Sequence, residues 1–317
     1  MKEAVSDVNA LNASDQSELL PSVGSAVKPE GQVAVLFSGG TDSTLTSALV
    51  QERFERVHLV TYNRMGFHST ENTGVNAEML KDRYGHERFH HEIIRVEKLF
   101  KWISYERYIR NTMRHGLYML STCGLCKLAM HMRTVKYCVD NGIEHVADGA
   151  NQAMSMFPAQ MAPVIERMQE MYSHFGLTYG NPVFELEGHD EKGYIDDANS
   201  QFLGMGLGRN PADGTLPAWE PPPTTREPTR NTAGERLFQI GLAPMPDVKG
   251  SKYDQKRQPR CFQFILFNMF AIKYFTAEKS YEEYRDGTVR FFDDKIQRAT
   301  DVLELHFEKG KYARLFE

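Results

Sequence analysis

A glycine-rich turn directly follows a short apolar run, and this junction constrains the fold more than any other feature of the chain. The apolar run covers residues 33–37, and the turn reads Ser38-Gly39-Gly40-Thr41-Asp42-Ser43. An apolar run of this length is typical of a buried strand, and the residues after the turn have helical spacing. The glycines allow a close approach of the main chain, and the start of the helix presents free N–H groups. The junction therefore predicts a phosphate-binding loop.

Strands and helices continue to alternate up to about residue 150. Further strands are predicted over residues 56–62, 89–96 and 143–149, with a long helix over 98–114 and another from about Cys126 to 142. In the helix before the third strand, we expect Ser69 or Thr70 to be the cap and Val75 to face the core. This alternation predicts an α/β fold with a doubly wound parallel sheet, in which ligands bind beyond the carboxyl ends of the strands.

The domain organisation follows from changes in pattern along the chain. Residues 1–30 have no apolar periodicity and are interpreted as a flexible leader, and residues 31–186 form the predicted phosphate-binding domain. Residues 187–230 are rich in Gly and Pro and are predicted to be an irregular loop or lid. Residues 231–317 form a smaller, mainly helical C-terminal region, with an apolar element over 261–275 that is core or a homo-oligomer interface and an exposed amphipathic helix over 281–305.

Composition limits the class of protein. The chain has 317 residues, a formal net charge of −5 and four cysteines. It contains no apolar stretch close to the roughly 20 residues that span a bilayer and no signal-like segment, so we expect a cytoplasmic protein without membrane contact. Four cysteines are too few for a disulfide scaffold and indicate metal, cluster or thiol chemistry in a reducing compartment.

Three of the four cysteines form the candidate sulfur or metal centre. Cys123 and Cys126 make a C-x-x-C at the start of a helix, where the helix N-terminus is expected to favour the thiolate. Cys261 begins the later apolar element, whereas Cys138 lies too far along the helix to converge with the pair. Three thiolates could hold a 4Fe-4S cluster with one open iron. A zinc site with a further His or carboxylate ligand, or reduced thiols, remain the alternatives.

The order of these motifs resembles the PP-loop, or N-type ATP pyrophosphatase, superfamily. S-G-G-x-D-S after a strand is followed by Cys-x-x-Cys-Lys, by a strand ending in Asp148-Gly149-Ala150-Asn151, and later by Pro259-Arg260-Cys261. The order is similar to that of LarE-type sulfurtransferases and, more loosely, of tRNA-thiolating ATP-dependent sulfurtransferases. The similarity covers residues 32–151 well and residues 237–267 weakly.

The resemblance implies a HUP-type (adenine nucleotide alpha hydrolase-like) fold and an enzyme that binds ATP and Mg²⁺, transfers AMP onto a substrate oxygen and releases pyrophosphate. Sulfur from a sulfur donor then replaces AMP. The implied nucleotide-binding residues are Ser38, Gly39, Gly40, Thr41, Asp42 and Ser43, with the adenine near Thr61, Asp148 and Gly149. The implied catalytic residues are Asp42, which would organise Mg²⁺, and Cys123, Cys126 and Cys261, which are also the expected metal ligands.

Two other functions remain open from the sequence. One is an amide- or nitrile-forming ligase in which the cysteines hold structural zinc, and the other is a regulator that binds ATP or AMP without turnover. The intact loop of residues 38–43 favours an enzyme over the regulator. The acidic net charge favours a small acid or a nucleobase as the acceptor over tRNA, although the basic residues of 249–260 keep tRNA as the alternative.

Overall fold

The computed structural model of this protein describes residues 29–187, 231–261, 263, 274–275 and 279–317. Within them, the strands are β1 (Gln32–Leu36), β2 (Arg56–Asn63), β3 (Phe67–His68), β4 (Phe89–Arg95), β5 (His145–Asp148), β6 (Thr178–Gly180) and β7 (Arg260–Cys261). The helices are α1 (Thr41–Val50), α2 (Thr73–Tyr84), α3 (Glu97–Tyr105), α4 (Tyr108–His115), α5 (Thr122–Asn141), α6 (Ala162–His174), α7 (Ala233–Gln239), α8 (Lys252–Gln255) and α9 (Tyr281–Lys309).

The main sheet has five parallel strands in the order β4-β2-β1-β5-β6. From β1 the chain proceeds outward through β2 to β4, and then returns to the other side of β1 to add β5 and β6. The strand order therefore reverses between β1 and β5, and the crevice at such a reversal is where open α/β sheets bind ligands. The predicted fold class, an α/β fold with a doubly wound parallel sheet, is confirmed.

Helices cover both faces of this sheet, because alternate residues of β1 point to opposite sides. Ala34 and Leu36 belong to the core layer formed with α3, α5, α6 and α9. Val33 and Val35 belong to the second layer, formed with α1, α2 and α7. Both faces of the central strand are thus buried, which explains why its sequence is a continuous apolar run.

Several helices differ from the sequence prediction. The stretch over residues 98–114 is two helices, because Arg107 adopts a left-handed conformation with φ of 55° between α3 and α4. Helix α5 begins at Thr122, about one turn before the predicted start at Cys126. Neither Ser69 nor Thr70 provides a side-chain cap for α2, which a 3₁₀ turn precedes.

The core-facing sides of α2 and α9 also correct the prediction. Val75 in α2 is exposed, whereas Ala77 and Leu80 are fully buried. Helix α9 extends to Lys309 and packs against α5 and α6, with Phe291, Phe292 and other apolar residues in the core. The C-terminal helix is therefore part of the main core and not an exposed amphipathic element.

Three predictions on organisation fall wholly or mostly outside the described residues. These are the leader over residues 1–30, the loop or lid over 187–230 and the apolar element over 261–275. The domain boundaries stay predictions. Among the described residues, no helix combines the length and apolar character needed to cross a bilayer.

A lysine in α9 is fully buried without a hydrogen-bond partner among the described residues. The Lys295 side chain has no solvent-accessible surface, and its Nζ lies 5.5 Å from the centroid of the Phe291 ring. Burial lowers the pKa of Lys295 to about 8, although the neighbouring Asp294 opposes this. A buried ammonium without a partner destabilises the fold.

We predict that Lys295→Met increases the free energy of unfolding near neutral pH by about 1–3 kcal/mol. The folded pKa lies below the unfolded pKa, so the wild type should gain stability as the pH rises through about 8 towards about 10, and the variant should not. Urea unfolding across this pH range measures both effects. Lys309→Met at the exposed end of α9 is the control. A variant less stable than wild type would contradict the unpaired state of Lys295.

Candidate functional site

The predicted phosphate loop lies at the carboxyl end of β1 and runs into α1. Gly39 has a φ of +70°, in the left-handed region that favours glycine. The Ser43 hydroxyl donates to the Gly40 carbonyl oxygen at 3.0 Å and lies 3.1 Å from the Ser38 hydroxyl oxygen. These contacts fold the loop tightly over the N-terminus of α1.

Main chain from two other segments packs directly on this loop. A Cβ added to Gly149, just after β5, would lie 2.7 Å from the Ser43 nitrogen and 2.8 Å from the Asp42 carbonyl carbon. A Cβ on Gly39 would overlap the Arg257 carbonyl oxygen. The structure therefore brings Gly149 to the loop, as the positions of the strand ends predict.

Asp148, at the end of β5, forms a buried ion pair with Lys127 of α5. Lys127 Nζ lies 2.7 Å from Asp148 Oδ2, and the Ala150 N–H donates to Oδ1 at 2.8 Å. Burial alone would raise the pKa of Asp148, but Lys127 and these hydrogen bonds hold it below the usual value. His131 Nε2 lies 3.9 Å from the same carboxylate, and burial lowers the pKa of His131 to about 3. Lys127 is therefore the cation of this pair, beside the phosphate loop.

The phosphate loop has a second set of charged contacts, with residues of the 249–258 segment. Lys249 Nζ lies 2.9 Å from Asp42 Oδ2, so the predicted Mg²⁺ ligand is paired with a lysine. Asp254 Oδ1 accepts hydrogen bonds from the Thr41 N–H at 3.2 Å and from the Thr41 hydroxyl at 3.0 Å. Burial raises the pKa of Asp254, while its hydrogen bonds oppose this.

Thr61 lies close to the loop, but its side chain points into the protein. The Thr61 hydroxyl donates to the Phe37 carbonyl oxygen at 2.8 Å and contacts His91 Nε2 at 3.0 Å. The side chain is fully buried. It therefore joins β1, β2 and β4, and the predicted placement of adenine near Thr61 would involve its main chain.

A two-strand ribbon brings Cys261 towards the C-x-x-C pair. Strand β3 pairs antiparallel with β7, with Phe67 opposite Cys261. The buried Arg64 guanidinium lies between the two groups: Nε donates to Cys126 Sγ at 2.8 Å, and Nη2 donates to Cys261 Sγ at 3.5 Å. It also stacks on the rings of Phe67 and Phe100 at 4.4 and 4.0 Å.

Burial opposes the thiolates expected at this helix N-terminus. Burial, reinforced by the neighbouring thiols of Cys126 and Cys261, raises the pKa of Cys123 to about 12. Burial raises the pKa of Cys126 to about 11, although Arg64 opposes it. All four cysteines are reduced, and Cys138 lies in the core. No set of three ligating side chains among the described residues is arranged to hold a metal ion.

A cleft of about 970 Å³ lies elsewhere, along β4. Its lining includes Arg56, His58, His90 and Glu92, and no described residue of the phosphate loop. His58 is already bonded through both ring nitrogens, to Tyr137 and Gln32. We therefore place the candidate site at the phosphate loop.

The sequence prediction missed three charged residues of the site, which are Arg64, Lys127 and Asp254. Lys249 belongs to the basic stretch that the sequence offers for binding pyrophosphate, an acidic substrate or an RNA backbone, and the structure places it against Asp42. Lys127 had a signal, since it follows the C-x-x-C directly. Arg64 and Asp254 had none, because their roles depend on contacts between distant segments.

No family model and no curated protein matches the sequence. The structure is similar to U34-tRNA thiolase NcsA from Methanococcus maripaludis with its 4Fe-4S cluster (TM-score 0.38, 12% identity, 98% of this chain and 88% of that chain covered). It is also similar to NMN synthetase from Francisella tularensis (TM-score 0.37, 10% identity, 92% of this chain and 95% of that chain covered). A third similar structure is the predicted subunit of tRNA methyltransferase from Methanocaldococcus jannaschii (TM-score 0.32, 15% identity, 62% of this chain and 94% of that chain covered). At these identities and TM-scores they carry no argument about activity, which depends on this chain's own residues.

The close packing at Gly149 is testable by adding one methyl group. We predict that Gly149→Ala lowers the free energy of unfolding by about 1–3 kcal/mol, because the methyl group would meet main chain that cannot rotate away. Gly74→Ala in α2 is the matched control. Its Cβ has no atom within 4 Å, so it should leave stability unchanged or raise it by about 0.5–1 kcal/mol. Equal stability of the two variants in urea unfolding would show that the loop does not need this contact.

Proposed function

We propose that the chain is an ATP-using PP-loop enzyme that adenylates a substrate oxygen, releases pyrophosphate and replaces AMP by sulfur. One observation carries the proposal. Cys126 and Lys127 are consecutive residues, and Cys126 belongs to the thiol group around Arg64 while Lys127 pairs with Asp148 beside the phosphate loop. The proposed sulfur centre and the proposed nucleotide site are therefore neighbours.

In the first step, the substrate oxygen attacks the α-phosphorus of ATP, and the bond to pyrophosphate breaks. N–H groups at the start of α1 and the Lys127 ammonium group would stabilise the negative charge that develops on the phosphates. Mg²⁺ is held in proteins by one or two carboxylates together with substrate phosphates, and the half-buried Asp42 carboxylate at the loop fits this role.

In the second step, a sulfur donor of the hydrosulfide class attacks the activated carbon, and AMP leaves with the bonding electrons and the former substrate oxygen. Three thiols are a soft donor set that suits an iron–sulfur cluster or zinc, and they would have to move together to hold either, since the described residues contain no preformed three-ligand site. A 4Fe-4S cluster on Cys123, Cys126 and Cys261 would supply a coordination position for the donor. Arg64 would then exchange its hydrogen bonds to the thiols for contacts with ligated sulfur.

Two other functions would be supported by different results of the tests below. Zinc on the same cysteines would favour an amide- or nitrile-forming ligase, and nucleotide binding without pyrophosphate release would favour a regulator. We propose a small acid or a nucleobase as acceptor, with tRNA as the alternative. The cytoplasmic location and any homo-oligomer remain predictions.

We predict that Asp42→Ala abolishes the Mg²⁺ dependence of ATP affinity and reduces pyrophosphate release at least about tenfold, because the proposed metal ligand is lost. Calorimetric titration with ATP, with and without Mg²⁺, and a pyrophosphate assay measure the two effects. Asp82→Ala, on the exposed surface of α2, removes the same charge and should change neither. If Asp42→Ala keeps the wild-type Mg²⁺ dependence, Asp42 is not the metal ligand, and if ATP affinity and pyrophosphate release are both unchanged, the phosphate loop is not the nucleotide site.

We predict that Cys123→Ser, Cys126→Ser and Cys261→Ser each lose bound metal after anaerobic purification and keep ATP binding. Cys138→Ala should retain the metal, because Cys138 lies in the core. Iron and zinc analysis with absorbance spectra decides the kind of centre. Iron and a coloured protein support sulfur chemistry, whereas zinc supports the ligase. Metal content that is equal in all four variants would rule out a three-cysteine centre.

A further inference from the structure

Residues 249–258, here called the strap, lie across the phosphate loop. Asp254 in the strap is almost fully buried, and its two carboxylate oxygens have different partners. Oδ1 accepts from the N–H and the hydroxyl of Thr41, at 3.2 and 3.0 Å, and Oδ2 accepts from the Gly250 N–H at 2.9 Å. An anion of the protein itself thus contacts the first residue of α1.

The Thr41 N–H is one of the groups that a phosphate would be expected to bind. It lies in the first turn of α1, where the helix supplies no acceptor for the N–H groups, and the helix dipole favours an anion there. A carboxylate oxygen on this N–H has the charge and the hydrogen-bonding capacity of a phosphate oxygen. Asp254 therefore occupies a position that a bound nucleotide would need.

The strap also supplies a cation to the loop. Lys249 Nζ lies 2.9 and 3.2 Å from the two Asp42 carboxylate oxygens, and about a quarter of the Lys249 side chain is exposed. Ideal Cβ positions on Gly39 and Gly40 would meet the Arg257 carbonyl oxygen and the Gln258 side chain. The strap thus contacts every residue from Gly39 to Asp42.

We propose that the strap is the second half of the nucleotide site. When ATP binds, a phosphate replaces Asp254 at Thr41, and Lys249 moves from Asp42 to the pyrophosphate part of ATP, which leaves Asp42 free for Mg²⁺. In this exchange Lys249 keeps an anionic partner and Asp42 gains Mg²⁺, while Asp254 gives up its hydrogen bonds to Thr41 and keeps the one from the Gly250 N–H. Lys249 is then a positioning residue for the leaving group. This inference depends on the proposed function, because it assigns residues of the same nucleotide site.

The role of Lys249 is tested by comparing ligands with and without a pyrophosphate part. Calorimetric titration of Lys249→Met should show affinities for Mg²⁺–ATP and for inorganic pyrophosphate reduced about tenfold, with the affinity for AMP changed less than about twofold. Lys252→Met, an exposed lysine of the same strap, removes the same charge and should bind all three ligands as wild type does. An equal loss for AMP, or no loss for pyrophosphate, would overturn the assignment.

The role of Asp254 is tested by removing its charge and keeping its shape. Asp254→Asn should bind inorganic pyrophosphate at least about threefold more tightly than wild type, because the competing anion is gone. Asp82→Asn, on the exposed surface of α2, is the control for the change in net charge. Unchanged or weaker binding by a folded Asp254→Asn would show that Asp254 is only a structural tether. If this variant does not fold, the Lys249→Met comparison decides.

The two proposals fail in different ways. If the wild type binds neither ATP nor pyrophosphate, the proposed function and the strap inference are both wrong. If the wild type binds ATP and releases pyrophosphate, but Lys249→Met binds all ligands normally, only the strap inference is wrong.

Discussion

Contact between main chains at the start of α1 constrains the rest of the site. Gly149, after β5, lies against the main chain of Asp42 and Ser43, and Gly39 lies against the main chain of the strap. A side chain at either glycine would overlap main-chain atoms of these segments and force them apart. The relative positions of β1, β5 and the strap are thus set by steric contact, and the charged side chains of the site are presented from this rigid frame.

The charges in the site are paired with one another. Lys127 pairs with Asp148, and Lys249 pairs with Asp42. Removing one partner would leave the other charge unpaired in a largely buried site, so each pair keeps its partner from becoming destabilising when no ligand is bound. They also reduce the affinity for an added anion, because a phosphate must replace a carboxylate that is already present. In the proposed enzyme, the affinity for ATP is therefore a difference between two sets of ion pairs.

The parts of the fold that local sequence determines were predictable. The strands β1, β2, β4 and β5 have apolar runs, and their order follows from alternation with helices. Strand β6 was missed because three residues are too short for a pattern. The break at Arg107 has no Gly or Pro to signal it, and it is accompanied by an ion pair between Glu106 and Arg298 of α9. Contacts between residues so far apart in the chain cannot be predicted from the local pattern of a single sequence.

In the candidate site, too, the sequence indicates local features but not burial. The thiols of α5 are the example, because the helix N-terminus and burial change their pKa in opposite directions. A helix N-terminus stabilises an anion by about 0.3–1 kcal/mol, which is less than one pKa unit. Burial acts in the opposite direction and is larger, since it raises the pKa of Cys123 from 9.0 to about 12. The sequence reveals the helix start but not the depth at which α5 places the thiols. Without a ligand these thiols stay protonated, so a metal ion or another cationic group must displace their protons when it binds. In the proposed metal centre, the negative charge on sulfur would therefore come from protons released when the metal binds and not from the helix.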